Sequence, residues 1–260
     1  MRMELQAFIF DVDGTLADTE RDGHRVAFNA AFAEAGLDWH WSVELYGQLL
    51  AITGGKERIR HFVQTCQPPL PAGEDLTSLI ARLHQAKTRH YTALLAQGGI
   101  PLRPGVKRLL QEARAAGIRL AIATTTTPEN VTALLEHTLP ESLSWFEVIA
   151  AGDIVPAKKP APDIYCYTLE QMGLRPQECL AFEDSENGLR SAQQAGVPAV
   201  VTVNNYTREQ DFSGAALVLD HLGEPGLPFQ VLAGRAGSHS HFTLELARQV
   251  HAQALAGQEK

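Results

Sequence analysis

The sequence predicts an α/β fold, a doubly wound parallel sheet carrying an inserted α-helical cap. Three observations predict it. A short apolar run over residues 7–10 opens the chain and stops at two aspartates. Residues 18–98 then show helical periodicity and no convincing strand. From Leu102 onward, apolar runs alternate with helical stretches over short connections, the pattern of βα units on a parallel sheet. The expected organisation is a core of residues 1–16 and 99–222, a cap of residues 17–98, and a C-terminal tail of residues 223–260 that contains a helix.

Each element has a local reason. In the cap, residues 18–36 read as a helix with Val26, Ala27, Ala30, Ala31 and Phe32 on its apolar face and Gly36 at its end. Residues 43–50 are helical. Thr53-Gly54-Gly55-Lys56-Glu57-Arg58 is a glycine turn opening a helix that runs to about residue 66, where Pro68, Pro69 and Pro71 stop it. Residues 75–97 form a long amphipathic helix ended by Gly98 and Gly99. In the core, residues 104–116 are a helix with Pro104 near its start and Gly117 at its end. Residues 118–123 are a buried strand. Helices follow at 128–137, 162–172 and 188–195, and strands at 146–151, 179–182 and 199–203. Residues 217–219 are a short last strand. The tail after Leu222 is rich in Gly, Pro and His and reads as flexible, His239 and His241 included, until a helix over 243–256.

Composition narrows the function. The chain of 260 residues carries a formal net charge of −8, which argues against a non-specific nucleic-acid binder. A small anionic substrate stays compatible, because a local cluster of cations outweighs the net balance. Cys66, Cys166 and Cys179 are scattered, with no Cys-x-x-Cys pair. They suggest inert thiols in a reducing compartment rather than a zinc site or disulfides. No apolar stretch approaches the roughly 20 residues of a membrane helix, and the first strand begins too close to Met1 for a leader peptide. We expect a cytoplasmic monomer that binds neither membrane nor nucleic acid.

The chemistry gathers at strand ends. Asp11 and Asp13 follow the first strand, then Gly14 for a turn and Thr15 as a hydroxyl donor. Two carboxylates at the C-terminal edge of a parallel sheet lie where ligands bind. They repel unless relieved, and a hard oxygen-seeking cation such as Mg²⁺ is the simplest relief. Asp-Gly is also an ordinary turn signal. Thr124 to Thr127 follow the strand 118–123, where hydroxyls and a helix N-terminus suit phosphate oxygens, or simply cap the helix. Lys158 and Lys159 precede Pro160-Ala161-Pro162-Asp163, and Glu183-Asp184 end the strand 179–182. With Asp11 and Asp13, these two acids could complete an oxygen cage for one Mg²⁺.

Asp-x-Asp-Gly-Thr, the threonine after the second strand, Lys-Pro-x-Pro-Asp and Glu-Asp resemble, in order, the four motifs of the haloacid-dehalogenase superfamily. The likeness covers residues 7 to about 220. It implies a Rossmann-like hydrolase core and a Mg²⁺-dependent phosphatase or phosphomutase. In it Asp11 is the nucleophile and Asp13 the acid–base, and Thr124 and Lys159 hold phosphoryl oxygens. Mg²⁺ is held by Asp11, the backbone carbonyl of Asp13, and Asp184 with help from Glu183. The cap sets substrate choice. Thr53-Gly54-Gly55-Lys56-Glu57-Arg58, His84-x-x-Lys87, Thr124 to Thr127 and Phe182-Glu183-Asp184-Ser185-Glu186-Asn187 resemble the CbbY-type subgroup, linked to carbon fixation. That likeness implies removal of the 1-phosphate from xylulose 1,5-bisphosphate, an inhibitor of Rubisco. It nominates Asp18, Gly54, Gly55, Lys56, Glu57, Arg58, His84, Lys87, Thr125, Thr126 and Asn187 as substrate-binding. Another small phosphosugar phosphatase, a sugar phosphomutase, or a non-catalytic binding module on the same fold are the alternatives.

Overall fold

The computed structural model describes residues 4–71 and 73–258. Residues 1–3, 72, 259 and 260 of the expected core, cap and tail lie outside it. The core is a seven-stranded sheet in the order β3-β2-β1-β4-β5-β6-β7. Its strands are β1 (Ala7–Phe10), β2 (Arg119–Ala123), β3 (Phe146–Ala150), β4 (Cys179–Glu183), β5 (Ala199–Thr202), β6 (Leu217–Leu219) and β7 (Val231–Gly234). The first six run parallel; β7 pairs antiparallel with β6.

Both sheet faces are covered, so the central strands are apolar throughout. The faces nevertheless differ. Phe8, Phe10, Leu120, Ile122, Leu180 and Phe182 point to one apolar layer. Ala7, Ile9, Ala121, Ala123, Cys179 and Ala181 point to the other. Small residues on the second face let α7 (Asp163–Met172) and α8 (Glu186–Gln194) pack close. On the first face Phe10 stacks on Phe182 at 4.5 Å, and α5 (Val106–Ala115) and α6 (Pro128–Thr138) cover them.

Register decides where the chemistry lands. Phe10 sits level with Ile122 on one side and Phe182 on the other. The residues just beyond, Asp11, Thr124, Glu183 and Asp184, therefore emerge side by side.

The inserted segment holds α1 (Arg25–Glu34), α2 (Val43–Leu49), α3 (Gly55–Cys66) and α4 (Leu76–Ala96). They share an aromatic cluster that includes Phe28, Phe32, Trp39, Trp41, Tyr46 and Phe62. Ser42 caps α2 and Asp75 caps α4 through their side chains. The expected single helix over 18–36 is divided. Residues 20–24 form a π-helical turn before α1, and its wider winding carries Glu20 and His24, both of which face the cavity. Gly23 lets this turn approach Ile100, whose Cδ1 would lie 2.6 Å from an added Cβ.

The tail departs most from expectation. Leu217–Leu219 is not the last strand, and the segment after Leu222 is not a loose appendage. Phe229, Phe242, Leu246 and Val250 join the core layer; Phe242 sets its edge against Phe182 at 5.5 Å. The helix, α9 (Leu244–Gln258), lies against α5. β7 lies hidden in the sequence because all four of its residues, Val231 to Gly234, are exposed at the sheet edge, so no alternation marks it. No helix of the described residues is long and apolar enough to cross a membrane.

Candidate active site

The sheet edge brings together Asp11, Glu183 and Asp184, all buried, with ligand oxygens within 4.8 Å of one another. Lys159 lies among them. Its Nζ donates to Asp11 Oδ1 at 2.8 Å and to Glu183 Oε1 at 2.6 Å. Tyr165 donates its hydroxyl to the same Glu183 oxygen at 2.6 Å, and Asn204 Nδ2 donates to Asp184 Oδ2 at 2.7 Å. Gly14 has φ +85°, and any Cβ there would strike the Asp184 carboxylate, so only glycine turns the chain here.

This is a crowded negative site. Burial pushes Asp184 well up from its ordinary value, and Asp11 and Glu183 push it further. Burial pushes Glu183 up to about 7 against the pull of Lys159. Asp11 is also raised, by burial first, with Lys159 opposing. Burial opposes the charge on Lys159, but Asp11 and Glu183 outweigh it and raise its pKa. Glu183 Oε2 is buried with no hydrogen-bond partner. Three convergent acids, one orphaned oxygen and a single internal cation fit a divalent hard cation.

Asp13 is turned differently. Thr19 donates to its Oδ1 at 2.5 Å, and His24 Nε2 lies 2.7 Å from the same oxygen. Burial opposes ionisation, but His24, Thr19 and Lys87 outweigh it and hold the carboxyl well below the usual range. Its side chain is thus committed to the cap and stands apart from the acid trio; only its backbone carbonyl is left for the expected metal role. His24 stacks on Tyr91 at 4.0 Å, which fixes the imidazole plane.

On the phosphate side, Thr127 rather than Thr124 caps α6, accepting from Asn130 N–H. Thr124 is therefore not spent as a cap. It lines the catalytic cavity with Lys159, Asp184 and Asn187. Thr125 borders that cavity and its neighbour, and Thr126 the neighbour alone. Two adjoining cavities, of about 210 and 470 Å³, share Asp13, Glu20, Arg58 and Thr125.

The larger cavity is lined by Gly54, Gly55, Lys56, Glu57, Arg58, His84 and Lys87. A Cβ on Gly55 would stand 2.7 Å from the His84 ring. Arg58 is buried and donates to Tyr46 Oη at 2.9 Å, with Glu20 at 4.0 Å. Lys87 lies 5.1 Å over both the Phe28 and Tyr91 rings, and burial brings it down to about 8. Burial, then Lys87 and Lys56, bring His84 down to about 3, so it is neutral. Lys56 instead reaches Asp153 of the core at 2.7 Å, half exposed. Asn187 Nδ2 donates to Ala51 carbonyl and Thr53 Oγ1, both at 3.1 Å, clipping core to cap.

Asp18 is not brought into this cavity. It is 66% exposed, pairs with Arg103 Nε at 3.3 Å, and lines a separate cleft of about 320 Å³. Besides Asp13, the acid that faces both catalytic cavities is Glu20, two residues on from Asp18 and bonded to Tyr46 Oη. Sequence reasoning also passed over His24, Tyr165, Asn204 and Tyr206. One signal was available: Asn204 follows β5 at the same sheet edge that marks the other site residues.

The family profile described as haloacid dehalogenase-like hydrolase matches residues 5–196. Protein CbbY of a Cupriavidus necator plasmid is 52% identical over 227 residues, 86% of this chain and 88% of that protein. Protein CbbY of Rhodobacter capsulatus is 54% identical over 215 residues, 82% and 92% of the two chains. Crystal structures of CbbY from Rhodobacter sphaeroides, one with phosphate and one of a mutant with xylulose-(1,5)bisphosphate, superpose with TM-score 0.80 at 48% identity. They cover 85% of this chain and 96% of that one.

Proposed function

The chain belongs to the haloacid dehalogenase-like hydrolase family as a CbbY-type sugar-phosphate phosphatase, and on that premise we propose that it removes the 1-phosphate of xylulose 1,5-bisphosphate with Mg²⁺, clearing a Rubisco inhibitor. One observation carries the reading. Two adjoining cavities hold Asp11, Lys159 and Asp184 in one, the buried cation Arg58 where they meet, and the buried cation Lys87 in the other. A molecule with an anion at each end and hydroxyls between matches that arrangement. The CbbY of Rhodobacter sphaeroides, 48% identical, has been crystallised with that bisphosphate.

Asp11 attacks phosphorus; the bond from phosphorus to the sugar oxygen breaks and an aspartyl phosphate forms. Lys159 and Thr124 hold the phosphoryl oxygens, with charge-assisted donors where charge develops. Asp13 protonates the departing oxygen, then takes a proton from the water that attacks the aspartyl phosphate. Asp13 is held ionised in this structure, which suits the second step. In both steps His24 Nε2, 2.7 Å from Oδ1, and Thr19 hold the carboxyl in place. Asp11, Glu183, Asp184 and the Asp13 carbonyl would hold Mg²⁺, which offsets the mutual repulsion of nucleophile and phosphate. Glu20 faces the sugar, and Arg58 and Lys87 take the distal phosphate.

The test is phosphate release with Mg²⁺ from xylulose 1,5-bisphosphate, ribulose 1,5-bisphosphate, phosphoglycolate and glucose 1-phosphate. Strong preference for the xylulose compound over its ribulose epimer supports the assignment. Release chiefly from phosphoglycolate or glucose 1-phosphate overturns the substrate but keeps the mechanism. Isomerised sugar phosphate without free phosphate identifies a mutase.

A further inference from the structure

β5 runs into Asn204 at the edge that carries Asp11, Thr124 and Asp184, and the proposed reaction gives the following turn no part. Both ends of the Asn204 amide are engaged. Nδ2 donates to Asp184 Oδ2 at 2.7 Å, and Oδ1 accepts from the Tyr206 backbone N–H at 2.8 Å. Thr207 closes the turn: its Oγ1 accepts from Asn204 N–H at 3.0 Å, and its own N–H returns to the Asn204 carbonyl at 3.2 Å. Arg103 pins the strand just before it, donating to the carbonyls of Thr202 and Val203 at 2.9 and 2.6 Å. With its base fixed and its amide held at both ends, the turn cannot move Tyr206 without disturbing the bond to Asp184.

Tyr206 reaches out of the core to the cap. Among the described residues it is the one outside 17–98 that packs against the cap's aromatic cluster. Its ring centroid is 6.1 Å from that of Tyr46, and a Cβ on Gly47 would lie 2.9 Å from its Cδ1. Gly47 is thus the gap in α2 that admits the ring. Tyr46 in turn bonds Glu20 and Arg58 in the cavity. Direct contacts therefore run from the cap's cavity residues through Tyr46, Tyr206 and Asn204 to a carboxylate of the acid trio.

We propose that the turn 204–207 is a positioning element that couples cap docking to the metal site. Tyr206 seats on the docked cap, and Asn204 thereby fixes Asp184 in its ligating orientation. The inference rests on the reading of Asp11, Glu183 and Asp184 as Mg²⁺ ligands. Coupling between two sites is reciprocal: if a docked cap favours Mg²⁺, then Mg²⁺ favours the docked cap.

Two measurements on the whole protein test this without relying on turnover: calorimetric titration with MgCl₂, and hydrogen exchange over residues 43–52 with and without Mg²⁺. Asn204→Ala removes a group that orients a metal ligand and weakens Mg²⁺ binding about tenfold or more. Tyr206→Ala and Gly47→Ala touch no ligand, yet weaken it about fivefold or more, while Tyr206→Phe keeps the seating ring and binds as the wild type does. Mg²⁺ slows exchange over 43–52 in the wild type and not in Asn204→Ala. Folded Tyr206→Ala and Gly47→Ala proteins with wild-type Mg²⁺ affinity overturn the coupling, as does undiminished Mg²⁺ protection of the cap in Asn204→Ala. If Tyr206→Ala fails to fold, Gly47→Ala decides the matter from the cap side. A wild type that takes up no Mg²⁺ overturns the metal reading itself, and this inference with it.

Discussion

Replacing Lys159 by Met removes the one positive charge among the described residues that directly contacts the Asp11 and Glu183 carboxylates. Each contact, at 2.8 and 2.6 Å, is worth about 6 kcal/mol of attraction at an effective dielectric near 20. Desolvating the three charges cancels much of that, and breaking such a buried pair by removing one partner costs about 3–5 kcal/mol. The cost depends on pH. Glu183 is pushed up to about 7 from an ordinary 4.5, so between those values the folded protein holds more protons than the unfolded chain, and stability falls as pH rises through the window. Without Lys159 both acids shift further upward and the window widens toward higher pH. Urea unfolding of Lys159→Met should therefore show the full loss at pH 8 and a much smaller one at pH 5, where protonation relieves the site. Mg²⁺ at pH 8 should restore more stability to the variant than to the wild type. Turnover should fall about 100- to 1,000-fold, since a donor to the transferring group is gone. A loss below about 1 kcal/mol, equal at both pH values, would refute the placement of Lys159 as internal counter-ion.

The other predictions test separate links. Asp13→Asn should cut kcat by two to four orders of magnitude with KM close to wild type, and should lower the melting temperature at neutral pH because His24 and Lys87 lose the charge they face, measured by steady-state phosphate release and calorimetry. Lys87, brought down to about 8, loses its charge as pH rises past that value. KM for a bisphosphate should then rise above pH 8 in the wild type, and the rise should be absent from the pH profile of Lys87→Met. Phe242→Ala empties a fully buried position against Phe182 and should cost about 3–5 kcal/mol in urea unfolding, with specific activity retained in the folded fraction.

Much of this site was legible because its logic is local. An apolar run that stops at an acid announces a strand end on a parallel sheet, and level register does the rest. Asp11, Thr124, Glu183 and Asp184 each stand after a strand, and the fold brings them to one sheet edge; their roles came from the family resemblance, since Thr124 alone reads equally as a helix cap. Lys159 was assigned from the resemblance of Lys-Pro-x-Pro-Asp to the family's third motif, and nothing in the sequence placed its ammonium between two carboxylates. The misses share a cause: they turn on direction, which spacing does not encode. Asp18 and Glu20 are both acids on one predicted helix. Where the chain winds as a π turn, Glu20 faces the cavity and Asp18 faces Arg103 outside it. Lys56 lines the cavity, and its ammonium pairs with Asp153, 97 residues away, a direction that spacing does not encode. The tail was read as flexible from its Gly, Pro and His content, yet a few large residues, Phe229 and Phe242 among them, suffice to bind it to the core. Tyr206 carries no sequence pattern of its own; its importance lies in Gly47, on another element, being small enough to admit it.

The central claim is that Asp11 becomes phosphorylated during turnover. Quenching the enzyme in steady state with xylulose 1,5-bisphosphate and Mg²⁺, reducing with borohydride, and mapping peptides by mass spectrometry tests it directly. The account predicts homoserine at position 11, absent without substrate and without Mg²⁺. Steady phosphate release with position 11 recovered only as aspartate, or homoserine at another acid, would contradict it.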